Sequence, residues 1–196
     1  MAATSASLRQ KIGLAIAALV IVLALVIATR PATYRVTRST TVSAPPAIAY
    51  AHVADFHQWD AWSPWAHLDP TMKTSYAGPD GAVGSSYGWK GNDQVGEGRM
   101  TIVEARPGEA LGIRLEFLKP WQATNSTRFE FTPAATGTQI TWTMDGENNF
   151  VGKAFSLFTN MDKMIGSDFE RGLVGLKKVA EAQTRSAQFA VPAVAK

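Results

Sequence analysis

Cysteine is absent from this 196-residue chain, which excludes disulfides, thiolate metal sites and a cysteine nucleophile. Histidine is scarce as well. His52, His57 and His67 are interleaved with Asp55 and Asp60 in no compact ligand spacing such as HExxH, so no metal is expected. No P-loop, dinucleotide fingerprint or GxSxG elbow occurs, and no cofactor is expected either. Acidic residues are missing from the first 38 positions, which carry Arg9, Lys11, Arg30, Arg35 and Arg38. The remainder holds 14 basic against 16 acidic residues, so the net charge of +3 belongs to the N-terminal segment. A nucleic-acid binder concentrates Lys and Arg on its folded part; this chain does not, which argues against a nucleic-acid partner.

The N-terminal segment replaces charge with length. Residues 12–29, IGLAIAALVIVLALVIAT, carry no charge, and as a helix they reach about 27 Å, close to the hydrocarbon thickness of a bilayer. A cleaved signal peptide has a shorter apolar core and ends in small residues, whereas this run ends in Thr29-Arg30-Pro31. Residues 1–11 therefore read as a basic leader, 12–29 as a single-pass anchor in the cell membrane, and 30–34 as a linker. Basic residues on both sides give the positive-inside rule conflicting votes. The basic start leans toward an extracytoplasmic domain.

From Tyr34 the pattern changes to strands. Tyr34–Ser43 alternates; Ala44-Pro45-Pro46 ends it and opens a short helix over 47–54, where proline in the first turn loses no hydrogen bond. Asp55 predicts a cap for a second short helix over 55–59. Trp59, Trp62 and Trp65 follow at a spacing of three, and read as a hydrophobic plug before they read as a pocket mouth. About six strands come next. They include 96–105, 111–118 with Leu111, Ile113, Leu115 and Phe117 alternating, 127–131, and 139–145 with Ile140, Trp142 and Met144 on one face. Arg114, Glu116, Arg128 and Glu130 fall on outward positions where they can pair across strands.

The last long element spans 148–183. Phe155, Phe158, Met161, Ile165, Phe169, Leu173, Leu176 and Val179 recur every three or four residues, the mark of a helix with one buried stripe. Gly166, Gly172 and Gly175 each cost roughly 1 kcal/mol in such a helix, which points to close approach or to deliberate room beside it. Residues 184–196 read as a disordered tail. A sheet with one apolar face and a striped helix pack as an α+β two-layer domain over 33–183. Candidate acids or bases are Glu97, Glu104, Asp145, Glu147 and His52, with no pairing evident from sequence.

Four stretches carry a resemblance: VSAPPAIAYAHVADFHQWDAWSPW, DPTMKTSYAGPDGAVGSSYGWKGN, VGEGRMTIVEARPGEALGIRLEF, and TQITWTMDG with KMIGSDFERGLVGLKK. Together they resemble membrane-anchored bacterial members of the SRPBCC superfamily, the START-like, helix-grip proteins often labelled polyketide cyclase/dehydrase. The resemblance implies a curved antiparallel sheet of six to seven strands wrapped on the long C-terminal helix, with two short helices after the first strand. It also implies an apolar cavity between sheet and helix. It supplies no catalytic residues, because the superfamily shares no catalytic set. The cavity is expected to be lined by Trp62, Trp65, Tyr76, Trp89, Met100, Ile113, Leu115, Phe129, Trp142, Phe158, Met161 and Ile165. Membrane-tethered binding of a small apolar or lipid-like ligand is the leading expectation. A cyclase, dehydratase or hydrolase would need a titratable group in the cavity, and a stress or chaperone-related interaction module would need an apolar outer sheet face.

Overall fold

The alternation of apolar and polar residues after Tyr34 builds a seven-stranded sheet whose order is β1-β7-β6-β5-β4-β3-β2. The strands are β1 (Thr33–Val42), β2 (Lys73–Ala77), β3 (Ser86–Lys90), β4 (Glu97–Arg106), β5 (Ala110–Lys119), β6 (Ala123–Ala134) and β7 (Gly137–Glu147). The computed structural model describes residues 7–189. Neighbours from β2 to β7 along this order run antiparallel, as short connections require. Irregular register at Glu97/Gly98 and Ile102/Glu104 bends β4, the usual effect of an inserted residue.

Side chains alternate between faces with the period of two. Ile102, Ile113, Phe129, Phe131, Ile140 and Trp142 are buried on the inner face. The outer face carries ion pairs. Arg99 meets Glu116 at 2.9 Å, and Arg35 of β1 meets Asp145 of β7 at 2.6 Å. Arg128 reaches Glu104 two strands away, because the residue in register between them is Gly112 and leaves the gap open. Arg114, Glu116, Arg128 and Glu130 do not pair with one another across β5 and β6 as expected: Arg114 meets Glu116 and Arg128 meets Glu130 within one strand, and the cross-strand partners are Arg99 and Glu104 of β4.

The inner face is covered by α2 (Pro46–Ala54), a 3-10 helix (Phe56–Ala61) and the long helix α4 (Met161–Phe189). Helix α2 ends at Asp55, whose side chain accepts from His57 N–H at 2.9 Å and starts the 3-10 turn. That ending leaves α2 carbonyls without helical partners. Two are taken by tryptophan: Trp59 Nε1 donates to Val53 O at 2.9 Å and Trp62 Nε1 donates to His52 O at 3.0 Å. Trp59 and Trp62 are therefore a cap and a plug at once.

Helix α4 lies close to its neighbours, which answers the question its glycines posed. A Cβ at Gly175 would sit 2.7 Å from Trp62 O, one at Gly172 2.8 Å from the Trp142 ring, and one at Gly166 would collide with the Arg38 guanidinium. These glycines mark close approach, not spare room.

Two expectations about the C-terminal segment need correction. The single helix over 148–183 is broken: α3 covers Phe150–Phe155, a turn follows, and α4 begins at Met161. The stripe therefore ends at the turn, and Phe158 is 87% exposed. The tail expected from 184 is helical to Phe189, and 190–196 lie outside the described residues.

The sheet with α2, the 3-10 helix and α4 forms one unit. A second unit contains α1 (Leu8–Ala28), the residues that follow it to Thr33, and Asn148–Asn160 with α3. Helix α1 has a mean hydropathy of 2.8, long and apolar enough to cross a membrane, a property it shares with signal sequences. Ser7 and Gln10 cap it reciprocally. The remaining leader residues, 1–6, lie outside the described part.

Candidate functional site

The inner face of the sheet unit has two parts. In the first, Trp142 of β7 lies between two rings. Phe169 of α4 stacks on it at 3.9 Å and Phe129 of β6 at 4.6 Å. Trp62 and Trp65 approach edge-on, each 5.9 Å away. The indole N–H donates to Thr127 Oγ1 at 2.8 Å, and that hydroxyl donates to Thr143 O at 3.0 Å. Trp62, Phe129, Trp142 and Phe169 are all buried, and their rings fill the space under the middle of α4.

In the second part the cover is incomplete. Tyr34, Trp89, Leu115 and Phe117 on the sheet, and Met161 and Ile165 on the first turns of α4, are only half-buried. The Trp89 and Phe117 rings meet edge-on at 6.0 Å. Opposite Leu115 in the strand register lies a polar group that no sequence stripe announced. Asn125 of β6 is buried, its amide donates to the Met144 sulfur at 3.8 Å, and Tyr34 lies beside it. Gly146 makes room for the pair, since a Cβ there would strike the Tyr34 ring and lie 2.6 Å from Asn125 Oδ1. Glycine within a strand is the sequence signal for such close approach. Burial raises the Tyr34 phenol pKa, partly offset by Asn125, so the group is a neutral hydroxyl.

The twelve expected lining residues are dispersed. Trp62, Ile113, Phe129 and Trp142 lie in the packed aromatic part or its immediate surroundings, and Trp65 is half-buried against it. Met100 is buried on β4. Trp89, Leu115, Met161 and Ile165 are half-buried. Tyr76 is an exposed edge residue stacked on His57 at 3.9 Å. Phe158 belongs to the other unit, because the turn after α3 carries it there.

Two open depressions also mark the sheet. One, of about 370 Å³, is lined largely by outer-face residues including Lys73, Ser75, Gly88, Lys90 and Arg99. The other, of about 400 Å³, lies around Glu116–Leu118 and Gln122–Thr124. Neither lies under α4.

The acid and base candidates are engaged elsewhere. Glu97 pairs with Lys119 at 3.1 Å, Glu104 with Arg128, and Asp145 with Arg35, all on the outer face. The hydrogen bond from Arg128 holds the Glu104 carboxyl below its usual range. Glu147 is exposed at the end of β7. His52 is buried on α2 with neither ring nitrogen in hydrogen-bonding geometry, and burial lowers its pKa. Among the described residues no group of three or more His, Asp or Glu is arranged to hold a metal.

A seven-stranded antiparallel sheet holding a long C-terminal helix, with short helices after the first strand, is a helix-grip α+β domain. Solved structures share the fold. A protein of unknown function from Staphylococcus aureus is similar with a TM-score of 0.60 at 12% identity, over 81% of this chain and 99% of that one. A protein from Chromobacterium violaceum matches at 0.54 and 17% identity, over 77% and 99% of the two chains. The di-domain aromatase/cyclase StfQ of the steffimycin biosynthetic pathway matches at 0.58 and 12% identity, over 78% of this chain and 52% of its own. A comparison with curated protein sequences found no match. Residues 33–181 match the family described as polyketide cyclase / dehydrase and lipid transport, and the chain belongs to that family, within the SRPBCC superfamily.

Proposed function

We propose that the protein binds a small apolar or lipid-like molecule, and that α1 tethers it to the membrane. The observation that carries the reading is the incompletely covered part of the inner face. There Trp89, Leu115 and Phe117 offer apolar contact, and Tyr34 with Asn125 supplies a polar anchor in a largely apolar setting. That combination, mostly hydrophobic lining with a few placed polar groups, is how small-ligand sites are built. Met161 and Ile165 complete it from α4, while Trp62, Ile113, Phe129 and Trp142 form the solid floor beyond.

Binding is favoured over turnover because hydroxyl, amide and thioether groups face this region, while the candidate carboxylates Glu97, Glu104 and Asp145 are held in outer-face ion pairs and Glu147 is exposed at the end of β7. It is favoured over a docking module because the outer face is a ladder of charges. The test uses the full chain, delipidated in detergent, incubated with a total membrane lipid extract and measured by native mass spectrometry. A discrete small-molecule adduct is expected, and it should be lost in Leu115→Trp, which fills the half-covered part. No adduct with the unmodified protein would remove the proposal.

A further inference from the structure

Four large apolar side chains stand exposed within nine residues of the smaller unit: Phe150 (58%), Val151 (60%), Phe155 (51%) and Phe158 (87%). Exposed apolar residues are ordinary singly, but a cluster calls for a partner. Helix α3 concentrates them by its period. At 100° per residue Phe150, Ala154, Val151 and Phe155 occupy an arc of about 140°, and Gly152 and Lys153 take the other side.

That other side faces the end of α1. Lys153 Nζ donates to Ala28 O at 3.3 Å, satisfying one of the last carbonyls of the helix. Arg30 donates through Nη2 to Ser156 O at 3.2 Å. Asn148 N–H donates to Ala32 O at 2.7 Å and its amide to Pro31 O at 3.3 Å. Helix α3 is thus fixed at the exit of α1, polar side against the exit and apolar side outward. The aliphatic side chains of α1 are exposed up to Leu25 and Val26, and Phe150, Val151 and Phe155 are exposed on the helix bonded to its end.

We infer that α3 and the turn after it dock onto a lipid bilayer at the interface where α1 emerges. This rests on α1 being a membrane anchor. Phenylalanines with a cationic neighbour on the opposite face suit the headgroup boundary, where the rings enter the acyl region and Arg30 and Lys153 stay at the phosphates. A six-residue helix binds weakly by itself. Joined to a span it needs no affinity of its own, since the anchor keeps it at the surface.

The absence of cysteine makes the test direct. Phe155→Cys, Phe158→Cys and, within α1, Leu23→Cys are labelled singly with an environment-sensitive fluorophore. The full chain is reconstituted in vesicles of phosphatidylcholine and phosphatidylglycerol carrying nitroxide at the headgroup or at the chain end. Leu23→Cys should be quenched most by the chain-end nitroxide. Phe155→Cys and Phe158→Cys should show blue-shifted emission and stronger quenching by the headgroup nitroxide. Quenching at Leu23→Cys alone would overturn the docking of α3 and leave the anchor standing. No quenching at any of the three would overturn both.

Discussion

The two halves of α4 are held to the sheet by different physics. From Phe169 to Ala180 the contact is dry: Phe169, Leu173, Leu176 and Ala180 are buried, and the aromatic stack around Trp142 fills the layer beneath. From Met161 to Asp168 only Gly166 is buried, and the attachment is ionic. Arg38 of β1 donates to Asp162 at 3.0 Å, with its guanidinium lying against Gly166, and also to Glu170 at 2.7 Å, just past the boundary between the halves. Packed rings hold one arrangement because their contacts cannot be made by water. Partly exposed ion pairs exchange with water at little cost. The dry half is expected to stay closed, and the ionic half to open at lower cost than the domain unfolds.

The largest effect that would test this contrast is in the closed half. Trp142→Ala removes a ring stacked on both faces and leaves Thr127 without its indole donor, so a loss of about 3–5 kcal/mol is expected in chemical denaturation. That is a large part of the stability of any domain this size. Leu115→Ala, in the half-covered part, should cost about 1 kcal/mol because its side chain is already in part exposed to water. Equal losses at the two positions would erase the distinction.

Much of this contrast was readable before the fold was known, and some of it was not. Alternation places Ile113, Phe129, Trp142 and Met144 on one face, and of the triplet Trp59, Trp62, Trp65, expected as a plug with Trp62 and Trp65 also named as cavity lining, Trp59 and Trp62 are buried and Trp65 half-buried. Both signals are local and periodic. The break between α3 and α4 escaped because Phe155, Phe158 and Met161 continue the helical spacing across it. A weaker sign was present: Asn160 stands before an acidic first turn at Asp162, as helix starts often do. Tyr34 with Asn125 escaped for another reason. They lie on β1 and β6, and only the return of β1 to the far side of β7 brings them together. No spacing in the chain encodes that pairing.

A middle-sized effect belongs to the ionic half. Arg38→Ala removes both ion pairs to α4, and amide hydrogen exchange should accelerate over 161–168 while 169–180 keeps its protection. Stability to denaturant should change less than in Trp142→Ala. Acceleration spread evenly along α4 would mean that the helix opens as one piece.

The smallest effect separates the halves by pH. Hydrogen bonding to Arg38 holds the Asp162 carboxyl below its usual range. A depressed carboxyl stabilises the fold above its unfolded value, about 3.9, and that contribution is lost as pH falls through the folded value. The ionic half should therefore loosen only in strong acid. His52 acts earlier and on the closed half. Burial lowers its pKa, with Gln183, Gln58 and Asp55 offsetting part of the shift. The unfolded chain then takes up a proton that the folded one refuses, so stability falls as pH drops below about 6.5, the unfolded value for histidine. Thermal melts between pH 7 and pH 5 should show this decline, and His52→Met, which removes the titrating group, should flatten it. An unchanged slope in His52→Met would assign the decline to another group.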